Sequence, residues 1–81
     1  MKFLTLMLLG VSLLFAAVDI NSASAKELSS LNGIGTKKAE LIIAHRDAQC
    51  FKNIDELILV KGIGKKIIEK NRDNISIGNC K

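Results

Sequence analysis

LNGIGTKKA, from Leu31 to Ala39, decides the reading of this chain, because it is written almost a second time as VKGIGKKII, from Val60 to Ile68. A shift of 29 residues lays Gly33-Ile34-Gly35 on Gly62-Ile63-Gly64. It also lays Leu28 on Leu57, Leu31 on Val60, Lys37 on Lys66 and Glu40 on Glu69. Self-similarity at a fixed spacing marks a duplicated supersecondary unit. The two units fill the segment from about Lys26 to Asp73, and each reads as a short helix, a tight glycine turn and a second helix.

The apolar spacing supports that reading. Leu28 and Leu31 share one helical face, as do Leu57 and Val60. After the first turn Ala39, Ile42 and Ile43 follow at i, i+3 and i+4. After the second turn come Ile67 and Ile68, and Ile75 extends the apolar side. Asn53 ahead of Ile54-Asp55-Glu56 is a helix-start signal. Asp47 to Lys52 is the connector, anchored by Phe51. Helices this short are unstable alone. They are expected to pack around Leu28, Leu31, Ile34, Ala39, Ile42, Ile43, Phe51, Leu57, Val60, Ile63 and Ile68, in an all-α tandem hairpin domain.

Glycine at a sharp helix–helix corner permits torsions that a Cβ resists, and it lets another molecule approach the backbone. The intervening Ile34 and Ile63 turn inward. The helix that follows starts with N–H groups that have no internal acceptor, at the positive end of its dipole, which suits an anion. Lys37 and Lys66 lie in that first turn, where a cation is unfavourable unless an anion joins it. The plainer alternative is a pair of αα-hairpins whose glycines serve only the turn. Duplication of both glycines and lysines favours phosphate binding. A third glycine and a preceding strand are missing, so this is no dinucleotide fingerprint, and the P-loop spacing is absent too.

The 81 residues allow one small domain, with a formal net charge of +4. That charge attracts polyanions without naming one. The run MKFLTLMLLGVSLLFAAV carries one charge, Lys2, and is short for a bilayer span. It reads as a signal peptide over residues 1–17, which places residues 18–81 outside the cytoplasm, in the periplasm or secreted. The alternative is a retained membrane anchor. Ala23-Ser24-Ala25 fits the small-residue cleavage rule better than Ala17, so cleavage as late as residue 25 is the competing choice. In an exported chain Cys50 and Cys80 are expected to pair, stabilising the fold by roughly 3–4 kcal/mol in the chain-entropy model. Free thiols or pairing between chains are the alternatives. Two cysteines and the single histidine, His45, do not make a zinc site.

These motifs resemble paired helix-hairpin-helix motifs. The wider pattern, VDINSASAKELSSLNGIGTKKAELIIAHR followed by FKNIDELILVKGIGKKI, resembles the ComEA-type competence proteins from Val18 to about Ile77. The resemblance implies an exported protein that holds double-stranded DNA during natural transformation, alongside DNA-uptake machinery. It implies contact residues at Gly33, Ile34, Gly35, Thr36, Lys37 and Lys38, and at Gly62, Ile63, Gly64, Lys65 and Lys66, with the two isoleucines structural. It also implies that Val18 to Ala23 belongs to the folded domain, which favours processing near Ala17. A cut after Ala25 would remove Ser24, the start of a Ser24-x-x-Glu27 capping box.

Some relatives hold a monovalent cation on the hairpin carbonyls; no other cofactor and no small-molecule substrate are implied. Four positions depart from the family pattern. Asn71 replaces an apolar residue, so loose packing is expected there. His45 replaces an aromatic, and the Cys50–Cys80 pair is extra.

Two other function classes compete. Leu41 and Ile58 fall off the apolar stripes, as in a periplasmic protein-interaction module without DNA binding. An enzyme is not expected, since no acid–base or nucleophile constellation is present. Phosphate contacts read no bases, so binding should be indifferent to sequence. With Phe51 the one aromatic after residue 17, a stacking platform for single strands is missing.

Overall fold

Two helix starts are tied by side chains at equivalent positions of the repeat. Ser24 accepts from the Glu27 N–H (3.2 Å) while the Glu27 carboxylate accepts from the Ser24 N–H (2.9 Å), a complete capping box. Asn53 accepts from the Glu56 N–H (3.1 Å), and Glu56 turns back to the Lys52 N–H (2.8 Å). The computed structural model describes residues 17–80. Most of the segment read as a signal peptide therefore lies outside the described residues.

The elements run β1 (Val18–Asp19), α1 (Ala25–Ser29), α2 (Thr36–Ala48), a 3-10 helix (Ile54–Leu59), α3 (Lys65–Asn71), a 3-10 turn (Arg72–Asn74) and β2 (Ile75–Ser76). The fold is helical, in two helix–turn–helix units, as the repeat requires. The helix expected before the second turn is a 3-10 helix, and α2 extends through Ala48, so the connector shortens to Gln49–Asn53. Departing from a purely helical reading, β1 and β2 form a parallel pair, Val18 opposite Ile75 and Asp19 opposite Ser76. Ile75 thus continues not a helical face but a strand, and there it is buried.

The core contains ten of the eleven residues expected, with Ile43 packed at its edge. Ile20, Ala23 and Ile75 complete it, so the segment before α1 is part of the packing. Phe51 is fully buried and stacks on His45, ring centroids 4.7 Å apart. A clasp of polar bonds encloses that end. The Asn21 amide donates to the Phe51 carbonyl (2.9 Å) and the Gly78 carbonyl (3.1 Å) and accepts from the Phe51 N–H (2.8 Å). Asp19 accepts from the N–H groups of Asn21 and Gly78, both at 2.9 Å. A Cβ at Gly78 would collide with that carboxylate. The Cys50–Cys80 disulfide, with Cα atoms 5.6 Å apart, joins the same two segments.

Burial disfavours the charged Asp19, but the two backbone N–H bonds, Ser22 and the nearby Arg46 outweigh it and hold the carboxyl below its usual range. Arg72 bridges Asp55 (2.7 Å) and Glu69 (2.6 Å) on the surface. Its hydrogen bond, and then its charge, lower the Glu69 carboxyl. No helix among the described residues is long and apolar enough to cross a membrane.

Candidate nucleic-acid interface

The hairpin glycines divide into two kinds. Gly33 and Gly62 have φ of +77° and +92°, which side chains resist, so each turn demands its first glycine. Gly35 and Gly64 are extended, at φ −96° and −108°, and a Cβ on either would meet nothing within 4 Å. The fold has no need of these second glycines. What they provide is open approach to the backbone just where a helix begins.

Those helix starts are bare. Neither Gly35 nor Gly64 supplies a capping side chain, and the first turns of α2 and α3 hold no acid. The first internal bonds run from the Ala39 N–H to the Gly35 carbonyl (3.0 Å) and from the Ile68 N–H to the Gly64 carbonyl (3.2 Å). The N–H groups of Thr36, Lys37 and Lys38, and of Lys65, Lys66 and Ile67, precede those bonds and have no partner within their helix. The helix starts at Ser24 and Asn53, by contrast, are capped and carry Glu27, Asp55 and Glu56 in their first turns.

Reciprocal packing sets the two turns side by side. Ile67 lies over Gly33, with Cγ1 3.2 Å from a hypothetical Cβ there, and the Lys38 stem lies over Gly62, with Cε at 3.1 Å. Lys38 and Ile67 are equivalent under the 29-residue shift, so each unit covers the other's first glycine. The Lys38 ammonium donates to the Gly33 carbonyl at 3.2 Å. Asn71 closes the junction. Its carbonyl accepts from the Asn32 N–H, and its amide donates to the carbonyls of Asn32 and Ile67, each at 2.8 Å. The loose packing expected at Asn71 does not occur: the residue is 1% exposed, and a polar side chain is what this site needs.

Of the sequence-predicted site residues, Gly33, Gly35, Thr36, Lys37, Gly62, Gly64, Lys65 and Lys66 are exposed on this face. Lys38 is half-buried, and Ile34 and Ile63 are core residues that pin the turns. Asn71 was missed as a positioning residue. Lys38 is the lysine of its pair that turns away from solvent: its stem packs on Gly62, a role that its alignment with Ile67 signalled. His45 is packed on Phe51 away from the hairpins, its Nδ1 buried without a partner. Among the described residues no cluster of three or more His, Cys, Asp or Glu is placed to hold a metal ion.

Two glycine-turned units whose second helices start bare, side by side, define a tandem helix-hairpin-helix protein. The helix-hairpin-helix motif family matches residues 15–76, and the chain belongs to it. It is 50% identical over 60 residues to an uncharacterized protein of Haemophilus influenzae, covering 72% of this chain and 54% of that one. It is 41% identical over 63 residues to ComE operon protein 1 of Bacillus subtilis, covering 76% of this chain and 31% of that one. A kinesin-like protein of Xenopus laevis shares 50% identity over 48 residues, 58% of this chain and 7% of its own. The chain thus spans about half the length of the first of these relatives and about a third of the second.

Proposed function

We propose that this protein binds double-stranded DNA through its sugar–phosphate backbone, without sequence preference, and does so outside the cytoplasm in DNA uptake during natural transformation. One observation carries the reading. Among the described residues, the two uncapped, acid-free helix starts are the two that follow open-faced glycines, and they lie together with Lys37, Lys65 and Lys66 around them. Backbone N–H groups at a helix start are donors for phosphate oxygens, and nearby lysines add long-range attraction. A duplex offers phosphates along both strands, so paired hairpins can grip two places at once.

The relation to ComE operon protein 1 favours the competence setting. The packing of Val18 to Ala23 favours processing near Ala17, because a cut after Ala25 would remove β1, the buried Ile20 and the Ser24 cap. A protein-docking role is the second reading, favoured by the exposure of Leu41, Ile58 and Leu59 at 42%, 47% and 63%.

Binding of unrelated duplexes across a salt series tests the proposal. Affinity on the order of micromolar and falling steeply with salt is expected. Lys37→Glu combined with Lys66→Glu should abolish it. Equal binding by that variant would refute backbone recognition and turn attention to the apolar surface.

A further inference from the structure

The same repeat that equates the hairpins shows where they differ. Asn32 in the first turn corresponds to Lys61 in the second, and Thr36 to Lys65. Lys37 and Lys66 correspond to each other, and Lys38 to Ile67. Around the first turn, therefore, Lys37 is exposed, its ammonium without a hydrogen-bond or ion-pair partner among the described residues, while Lys38 is half-buried, its stem on Gly62 and its ammonium on the Gly33 carbonyl. Around the second turn Lys61, Lys65 and Lys66 are all exposed, and none of their ammonium groups has a hydrogen-bond or ion-pair partner among the described residues. Glu69, the acid nearest them along α3, is held by Arg72. Among the described residues, three cations without a direct partner stand at one hairpin against one at the other; of the three, Lys65 lies near enough to Glu69 for its charge to lower that carboxyl.

We infer that the hairpins grip unequally: the second is the cationic jaw, with Lys61 a further DNA-contacting residue beside Lys65 and Lys66, and the first holds mainly through neutral groups. This rests on the duplex-binding reading above. Each phosphate neutralised by a lysine releases condensed counterions and adds about 0.9 to the slope of log affinity against log salt. The second hairpin then carries most of the salt dependence and most of the steering that brings DNA in. The first hairpin, with its turn anchored by Asn71 and Lys38, supplies contacts that salt hardly weakens.

Affinity for one duplex of arbitrary sequence, measured across a salt series, reads this out. The proteins compared are wild type, Lys61→Gln, Lys37→Gln and the triple variant Lys61→Gln, Lys65→Gln, Lys66→Gln. These side chains are exposed, and a thermal melt of each variant confirms an intact fold. Lys61→Gln and Lys37→Gln should each lower the slope by about 1, and the triple variant by up to about 3. If wild type binds and Lys61→Gln leaves both slope and affinity unchanged, the cationic jaw is refuted while duplex binding stands. If Lys37→Gln removes as much slope as the triple variant, the asymmetry is refuted in the same way. If wild type binds no duplex at all, the underlying reading falls and takes this one with it.

Discussion

The hairpin end and the clasp end of this domain follow opposite rules. They lie at the two ends of α2, whose thirteen residues span about 20 Å. At the clasp, Asp19 and Asn21 occupy the backbone groups of Phe51 and Gly78, and a disulfide joins the neighbouring residues Cys50 and Cys80. His45 Nδ1 is the one buried side-chain polar atom left unpartnered among the described residues. At the hairpins, backbone donors are left open, caps are omitted and space is kept where a side chain would fit. The clasp uses its polar groups to hold the fold, whereas the hairpins keep open the groups through which binding is proposed. Substitutions should therefore separate the two properties.

The largest expected effect is at the clasp. Cys50→Ser with Cys80→Ser should lower stability by roughly 3–4 kcal/mol, the cost of freeing a loop of this length. Thermal melting with and without reductant measures it, and the protein that remains folded should bind duplex as before. A parallel loss of affinity in folded protein would break the division between the two ends.

Next comes the junction. Asn71→Leu keeps the volume but removes three hydrogen bonds, and denaturant melts should show a loss of about 2 kcal/mol. Because Asn71 positions the first turn against α3, duplex affinity should weaken along with stability.

The two kinds of glycine differ in the same way within a single turn. Gly33→Ala and Gly62→Ala should each cost about 1–2 kcal/mol, since alanine resists positive φ. Gly35→Ala and Gly64→Ala should change stability by no more than about 0.5 kcal/mol. Their methyl groups would nevertheless stand where a phosphate is proposed to approach, and affinity should fall about tenfold, equivalent to 1.4 kcal/mol. Melting and binding measured on the same four variants provide the check.

The smallest effect is a pH dependence at the clasp. The Asp19 carboxyl is depressed in the folded state, so its stabilising effect is fully present above the unfolded value of about 3.8. It is lost as pH falls through the lower, folded value. Asp19→Asn should flatten that acid limb of stability, followed by melts at successive pH values, and should leave duplex affinity at neutral pH unchanged.

Much of the helical design was legible because its signals are local. The duplicated Gly-Ile-Gly, the apolar spacing around it, and the Ser24 and Asn53 helix starts each fall within a few residues. The clasp was legible only in part. A strand of two residues shows no alternation, and Val18 finds Ile75 across nearly the whole domain. Asn71 was hidden for the same reason: its partner Asn32 lies 39 residues away, and nothing near Asn71 announces a hydrogen bond. A polar residue in an apolar stripe looks like a flaw until its distant partner is seen. At Lys38 a lysine next to a glycine turn suggests charge first. The aliphatic stem that covers Gly62 became apparent only with both units in place.

Amide chemical shifts of labelled protein titrated with a short duplex would locate the contact surface residue by residue. The largest perturbations should fall on the backbone N–H groups of Gly35, Thr36 and Lys37 and of Gly64, Lys65 and Lys66, with the capped starts at Ser24 and Asn53 unmoved. Perturbations centred on α1, the 3-10 helix Ile54–Leu59 or the clasp, with the two glycine turns silent, would contradict binding through the hairpins.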